Sequence, residues 1–380
     1  RYDYLTSERT QFLDEARQAA DLTLPYILRG HEEKSQGMKR LVTPWQSVGA
    51  KGVVTLASKL MLALLPVQTS FFKLQVDESQ LGEEFDAAVK SELDLSFAKI
   101  ERTILEAIAA SNDRVVVHQA LQHLVITGNA LIFMGKEGLK LYPLNRFVVE
   151  RDGNGNVIEI VTKETVSKKL LEGQLPPELV DEVYTTKYDD QENSTKNNEE
   201  CDIYTHVKRD NNRVVWHQEV KGKALPKSYG KSPLETSPWI PLRFNSLDGE
   251  DYGRGRVGQF LGDLKSLEAL SQALVEGSAA AAKVVFTISP SSSTKPATLA
   301  AAGNGAIVQG RPDDIGVVQV GKTADFATAY NMMQQLEKRL NEAFLILNVR
   351  QSERTTAEEV RMTQMELEQQ LGGLFSLLTT

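Results

Sequence analysis

The chain has 380 residues, enough for two or three structural units at about 100–200 residues per domain. Its 41% hydrophobic and 25% charged residues are ordinary for a globular protein and exclude a disordered, collagen-like or disulfide-stapled chain. With 43 Lys and Arg against 51 Asp and Glu, the formal net charge of −8 argues against a basic protein that coats DNA. A single cysteine, Cys201, excludes an intrachain disulfide and favours a reducing compartment.

The first 125 residues predict helices. Apolar side chains recur at helical spacing over residues 5–20, 45–65, 85–108 and 115–126. Pro25 follows the first run and Pro66 ends the second. The longest apolar stretch, Leu60–Leu65, is far shorter than the roughly 20 residues that cross a bilayer, so we expect no membrane contact.

From residue 130 the helical period gives way to short apolar and β-branched runs, which predict strands. The runs cover residues 130–133, 138–142, 146–150, 157–161, 203–208 and 213–220. Asp152-Gly153-Asn154-Gly155 predicts a hairpin turn, because Asn and Gly tolerate positive φ. Helices followed by a small antiparallel sheet indicate an α+β fold.

After residue 250 the sequence predicts two long helices separated by an insert. The first covers about thirty residues and the second runs from Ala324 to Leu347. Between them, residues 284–322 are rich in Gly, Pro and Ser with short β-branched runs. The polar stretch 348–355 follows, and Thr356 with Glu359 predicts a capping box that begins a third helix.

Two glycine motifs invite a nucleotide-binding interpretation. Gly316–Thr323 matches the phosphate-binding P-loop, in which Lys322 would hold the phosphates and Thr323 a magnesium ion. Its variable positions are strand-like instead of loop-like, which argues against an ATP site but leaves it as the alternative function. Gly253–Gly258 matches a dinucleotide fingerprint, yet the connection before it is too long, and a closely packed helix entry is the better interpretation.

The sequence offers no positive support for catalysis or for a metal. His118 and His123 are five residues apart and share no helical face, and neither a zinc motif nor a nucleophile elbow is present. A basic cluster remains in the stretch 348–355, which holds Arg350 and Arg354. Its ordinary interpretation is an exposed connection, and its functional interpretation is a loop that faces phosphates.

A series of motifs, taken in order, resembles the portal protein, or head-to-tail connector, of short-tailed bacteriophages of the autographivirus type. The matching segments are 43–50, 56–64, 128–131, 202–206, 247–250, 252–254, 261–264, 310–312, 353–354, 356–359 and 371–373. The resemblance covers most of the chain.

The resemblance implies a portal fold with six parts. These are an α+β wing (1–247), a first stem helix (248–283), a small α/β clip (284–322), a second stem helix (323–347), a tunnel loop (348–356) and the start of a long kinked wing helix (357–380). The rest of the wing and a crown would lie beyond this chain.

The function implied by the resemblance is that of a non-enzymatic channel without a cofactor. A ring of about twelve subunits would occupy one capsid vertex of the virion after assembly in the host cytoplasm. Double-stranded DNA would pass through it, packaged by the terminase and later ejected. The other implied partners are tail adaptor or nozzle proteins, major capsid and scaffolding proteins, and internal core proteins.

Two groups of residues follow from that resemblance. The tunnel loop would contact DNA through Arg350, Gln351, Glu353 and Arg354. Exposure in a Gly- and Pro-rich insert makes Lys295, Asn304, Arg311 and Asp313 candidates for contacts of the clip with its partners.

Overall fold

A computed structural model describes residues 1–28, 42–66, 70–75, 87–167, 200–281, 285–290, 295–301, 315–318, 323–346 and 372. The chain divides into two compact units. The first, called the body, comprises Arg1–Gly262 and Leu340–Thr380, and the second comprises Asp263–Arg339. Helices and strands are both abundant, which confirms the predicted α+β class.

Four helices begin the body, as the apolar spacing predicted: α1 (Tyr2–Asp21), α2 (Val48–Leu64), α3 (Ala87–Ala110) and α4 (Asp113–Thr127). The helix α2 begins three residues later than the predicted Trp45. Gln46 explains the start, because its Oε1 accepts a hydrogen bond from the Gly49 amide at 2.9 Å. Its Nε2 donates to the Leu22 carbonyl at 2.7 Å and so ties this helix start to the end of α1.

The helix α4 runs directly into a three-stranded antiparallel sheet. Gly128 ends the helix at a φ of +77°, a conformation that favours glycine. The strand β1 (Asn129–Gly135) follows and pairs with β2 (Gly138–Tyr142) on one side and β9 (Trp239–Arg243) on the other. The central strand is buried over its first half, so this sheet belongs to the core.

A second antiparallel sheet extends the body. Its strands are β3 (Phe147–Arg151), β4 (Val157–Ser167), β5 (Glu200–Asp210), β6 (Arg213–Val220) and β7 (Lys223–Ala224), with β8 (Gly230–Pro233) also on β6. The predicted hairpin turn between β3 and β4 is confirmed. Asp152 Oδ1 accepts hydrogen bonds from the amides of Asn154 and Asn156, and Gly155 has a φ of +82°.

Buried polar side chains connect the layers of the body. Arg9 of α1 donates from Nη1 to the carbonyls of Leu144, at 3.0 Å, and Phe147, at 2.8 Å. The Tyr252 hydroxyl accepts a hydrogen bond from the Val149 amide of β3 at 3.1 Å. These contacts satisfy main-chain groups in the interior and hold the segment around Tyr252 against the sheet.

From residue 256 the elements are α5 (Arg256–Gln259), α6 (Leu261–Ala281), β10 (Val285–Ile288), α7 (Pro296–Ala301), β11 (Ile315–Val318) and α8 (Thr323–Ala343). Within the second unit, a β-carbon at Gly277 would lie 2.6 Å from the Phe326 ring, so α6 and α8 approach closely there. The helix α8 ends at Ala343, four residues before the predicted Leu347, which lies outside the described residues. None of the helices in the described ranges is both long and apolar enough to cross a bilayer.

Candidate functional site at the helix joint

The candidate site is the part of the body where the chain departs toward α6 and returns from α8. We call it the helix joint and define it as residues 253–260 and 340–346 together with their contacts in the body. Both segments belong to the first compact unit. The tunnel loop predicted from the resemblance follows the second segment along the chain.

The departing segment passes so close to the end of α4 that only glycine fits. A β-carbon at Gly255 would lie 2.3 Å from the Ile126 carbonyl oxygen, and one at Gly253 would lie 2.7 Å from the Gly128 carbonyl oxygen. At Gly128 itself, a β-carbon would lie 2.4 Å from the carbonyl carbon of Arg254. Three glycines therefore permit backbone to pack on backbone.

Asn129 joins the two backbones by hydrogen bonds. Its Oδ1 accepts from the Gly253 amide, and its Nδ2 donates to the Gly253 carbonyl, both at 2.7 Å. Nδ2 also donates to the Thr127 carbonyl at 3.0 Å. Because Asn129 is buried, these bonds replace water for both main-chain groups of Gly253.

Arg254, between the two glycines, faces outward to carboxylates. Its Nη2 and Nε contact the two oxygens of Glu250 at 2.6 and 3.1 Å, and its Nη1 lies 3.6 Å from Glu15 Oε2. The guanidinium also lies over the Phe12 ring. The hydrogen bonds to Glu250 raise the pKa of Arg254 above its ordinary value.

These contacts favour the packing interpretation of Gly253–Gly258 over the nucleotide interpretation. Gly253 and Gly255 pack against the protein's own backbone, Gly258 faces the Glu15 side chain, and Arg254 is bound to Glu250. The helix that follows, α5, has only four residues, too few to aim a helix dipole at a pyrophosphate. The closely packed helix entry expected from the sequence agrees with this geometry.

The returning segment ends α8 with an unusual residue. Leu345 has a φ of +54°, in the left-handed region that glycine normally occupies at helix ends. The Ile346 amide donates to the Asn341 carbonyl at 2.8 Å, and the Leu345 amide donates to the Glu342 carbonyl at 3.1 Å. The helix therefore terminates before the predicted Leu347 because the chain turns at Leu345.

Apolar contacts hold this turn in the body. Phe344 and Leu340 are completely buried, and Leu345 is 3% exposed. The Phe344 ring lies beside Gly52 of α2, where a β-carbon would be 2.5 Å from ring atoms. Its centroid is 6.2 Å from that of Phe260, which immediately precedes α6.

Two cations bind main-chain carbonyls at the end of α8 and two residues beyond it. Lys59 of α2 donates from Nζ to the Leu345 carbonyl, and Arg256 of α5 donates from Nη2 to the Ala343 carbonyl at 3.3 Å. Burial lowers the pKa of both Lys59 and Arg256 from their ordinary values. Positive charge at the carbonyl end complements the helix dipole, so these bonds cap α8.

The P-loop interpretation of Gly316–Thr323 is wrong at its first positions. Gly316, Val317 and Val318 are strand residues of β11 and pair in antiparallel register with Thr287, Phe286 and Val285. A phosphate-binding loop needs these positions to wrap around the ligand with free amides. Lys322 lies outside the described residues, while Thr323 begins α8.

The residues predicted for DNA and partner contacts lie largely outside the described part of the chain. This holds for Arg350, Gln351, Glu353 and Arg354 and for Asn304, Arg311 and Asp313. Of the clip candidates, Lys295 is described, and it is exposed immediately before α7. Their roles remain predictions.

Sequence reasoning missed the residues that build the helix joint. Gly52 interrupts an apolar helical run, a signal for close packing, and Lys59 stands on the same helix among apolar neighbours. Asn129 and Arg256 were noticed only as parts of motifs. Within the described ranges, His, Cys, Asp and Glu side chains form no group of three that could hold a metal ion.

Comparison with known proteins places the whole chain among relatives of one kind. Residues 1–380 match the family model described as bacteriophage head to tail connecting protein. The chain is 37% identical to the portal protein of Escherichia phage T7 over 391 aligned residues, covering 100% of this chain and 70% of that protein. It is also 37% identical to the portal protein of Enterobacteria phage T3 and 30% identical to that of Enterobacteria phage SP6. These cover 100% and 99% of this chain, and 70% and 72% of the relatives.

Proposed function

Because the chain belongs to the family of bacteriophage head-to-tail connecting proteins, we propose that about twelve copies close a ring around a channel for double-stranded DNA. A closed ring needs each subunit to present two different surfaces to its two neighbours. The channel would lie on the ring axis, where every subunit contributes the same residues.

The portal function that the sequence predicted is confirmed by the family match and the relatives, and so is its non-enzymatic class. Portal proteins are virion components that assemble into oligomeric connectors at the capsid vertex. The alternative, an ATP-binding protein using Gly316–Thr323, gains no support from the comparisons.

The finer partners belong to the same proposal. A terminase would drive DNA inward through the ring, and the DNA would later leave by the same route. Tail adaptor or nozzle proteins would attach outside the head, while capsid, scaffolding and internal core proteins would contact the ring during assembly in the host cytoplasm. Lys295, Asn304, Arg311 and Asp313 remain our candidates for the contacts of the clip.

The division of the chain supports the proposed part boundaries. The second compact unit, Asp263–Arg339, falls within the excursion assigned to the two stem helices and the clip, 248–347. Residues 1–247 would then be the wing, 348–356 the tunnel loop and 357–380 the start of the long wing helix. The body receives both ends of the excursion at the helix joint.

Electrostatics suggest how DNA could pass without adhering. A ring repeats the net charge of −8 in every subunit, so its field repels phosphate as a whole. The proposed tunnel loop would add one small collar of positive charge from Arg350 and Arg354, with Gln351 and Glu353 beside them. Brief contacts of such a collar with the DNA backbone would retain a packaged genome without stopping its movement.

The observation that carries this proposal is the match to portal proteins along the entire chain. Electron microscopy of the purified protein tests it directly. We expect rings with a central hole about as wide as duplex DNA and twelve-fold symmetry in class averages. Particles with a closed or off-axis pore, or no rings at all, would overturn the proposal.

A further inference from the structure

The end of α8 is held by Lys59 and Arg256. Arg256 also donates from Nη1 to Gln259 Oε1 at 3.0 Å, and its guanidinium lies over the Phe260 ring. We propose that Lys59 and Arg256 are positioning residues that fix the point at which the chain leaves α8, and thereby the start of the segment that carries Arg350 and Arg354. The inference rests on the proposed function of that segment. The contacts from which it is argued all lie in the described part of the body.

The helix α8 ends in a backbone conformation that a leucine rarely adopts. Helices commonly end on a glycine in the left-handed conformation, whereas here Leu345 adopts it with a φ of +54°. A residue with a β-carbon pays a conformational cost there, so the surroundings must hold it. The stop is therefore a product of tertiary contacts and not of the local sequence.

The two cations bind main-chain carbonyls where α8 ends. Lys59 binds the Leu345 carbonyl and Arg256 binds the Ala343 carbonyl, which lie in the last turn and the residues directly after it. Neither cation forms an ion pair with a carboxylate in the described part of the chain. Arg256 even leaves its Nε buried without a hydrogen-bond partner. Both side chains are half-buried, and because burying a charge is costly, the bonds to the carbonyl end of α8 offset part of that cost.

Apolar contacts attach α8 to the body, whereas the two cations act on its exit direction. Phe344 beside Gly52 and the buried Leu340 already attach the helix to the body by apolar contacts. Those contacts would persist without the two cations. The hydrogen bonds act on the carbonyls of residues 343 and 345, on either side of Phe344, and so decide the direction in which residue 346 leaves.

The two cations also come from different elements. Lys59 stands on α2, and Arg256 stands on α5, directly before the departure of the chain toward α6. Departure and return are therefore fastened together by the Arg256–Ala343 bond and the nearby pair Phe260–Phe344. A displacement of either segment would therefore be transmitted to the other through these two contacts.

The test compares Lys59→Met with Lys59→Arg and with Lys51→Met, an exposed lysine on the same helix. Rings of each variant are examined by hydrogen exchange at the amides of Phe344, Leu345 and Ile346. We expect exchange there to rise about tenfold in Lys59→Met, because a hydrogen bond from a charged donor is lost. Lys59→Arg should restore protection, and Lys51→Met should match the parent.

The second readout is genome retention in virions assembled with each variant. We expect Lys59→Met to form rings in parental yield but to raise the nuclease-accessible fraction of packaged genomes severalfold, with Lys59→Arg restoring retention. If Lys59→Met assembles too poorly to measure, Arg256→Met replaces it in both experiments. We expect the same rise in amide exchange and in nuclease-accessible genome.

The outcomes separate the inference from the function beneath it. Parental exchange and parental retention in Lys59→Met and Arg256→Met would overturn the inference while the portal function stood. Reduced ring yield with unchanged retention per assembled particle would also overturn it, since that result marks a purely structural role. Failure of the parent itself to form rings or retain DNA would instead overturn the proposed function.

Discussion

The ring of Phe344 occupies the space beside Gly52 that a side chain would need. A β-carbon on Gly52 would lie 2.5 Å from the Cδ2 and Cγ atoms of that ring, a distance that real β-carbons do not reach. The glycine thus lets the end of α8 enter the surface of α2. Glycine has low helix propensity, and the contact of Gly52 with Phe344, 292 positions away, explains why it stands in the middle of an apolar helix.

Replacing Gly52 by alanine should destabilise the body by about 1–3 kcal/mol, because the added methyl group must displace Phe344. Tryptophan fluorescence during urea unfolding measures this, since Trp45, Trp216 and Trp239 all lie in the body. The matched control is Gly262→Ala, where no atom lies within 4 Å of the new β-carbon. There we expect no loss and a gain of up to about 1 kcal/mol from helix propensity. Equal unfolding midpoints for the two variants would contradict the packing account.

Asn129 should be among the most sensitive polar residues of the body. Asn129→Ala leaves the amide and the carbonyl of Gly253 buried without their partner, which should cost about 2–4 kcal/mol of unfolding free energy. Asn129→Asp should be at least as harmful, since it places a carboxylate against the Gly253 carbonyl. Asn154→Ala, in the exposed hairpin turn, serves as the control and should change stability by less than about 0.5 kcal/mol. A similar effect of Asn154→Ala and Asn129→Ala would argue against a special role for the joint.

The buried imidazole of His123 should make the body sensitive to acid. Burial lowers its pKa to about 4 from the ordinary 6.5, so the unfolded chain binds a proton at higher pH than the folded chain does. The contribution of His123 to the free energy of unfolding should therefore be fully present above about pH 6.5. It should be lost as the pH falls from 6.5 to 4, by about 3 kcal/mol in total. Urea unfolding at several pH values measures the slope.

The variant His123→Gln supplies the comparison for that slope. It removes this one titrating group and keeps the other four histidines of the chain, so their contribution to the pH dependence stays the same. We expect a shallower loss of stability between pH 6.5 and 4 in the variant, whatever its stability at neutral pH. An unchanged slope would assign the acid sensitivity to other groups.

Removing one arginine from the proposed tunnel loop should separate assembly from DNA retention. In Arg354→Ala, ring yield should equal that of the parent, while virions should release packaged DNA more readily because the positive collar is weaker. The neighbouring variant Glu353→Ala removes a charge of opposite sign and should retain DNA at least as well as the parent. Nuclease-accessible genome measured on purified virions gives both values. Normal retention in Arg354→Ala would refute the gating role of this loop.

Much of the fold could be predicted because its signals are local. Helical spacing over 5–20 gave α1, and the Asp152–Gly155 turn placed the hairpin of β3 and β4 correctly. The glycines at 253 and 255 also indicated that this segment packs closely against another, but not which segment that is. Such predictions succeed because backbone preference and side-chain alternation act within a few residues.

The candidate site was harder to predict from the sequence than the fold, because it is assembled from distant segments. Asn129 and Gly253 meet across 124 positions, and Lys59 reaches a carbonyl 286 positions later. No local pattern signals such a pair. The portal resemblance supplied the function through many ordered motifs, but it did not identify Gly52, Lys59 or Asn129 as parts of one joint.

By itself, the sequence determined the class of the fold, the family and the acidic balance of the chain, because composition and motif order require no knowledge of contacts. Only the tertiary structure decided where α8 ends and which segment pairs with the strand-like residues Gly316–Val318. The helix stops at Ala343, before the predicted Leu347, because Leu345 turns into a left-handed conformation that Phe344, Lys59 and Arg256 support from outside the helix. Gly316 belongs to a strand because residues near 286 pair with it. Both outcomes depend on free energy gained between distant residues, which local propensity does not contain.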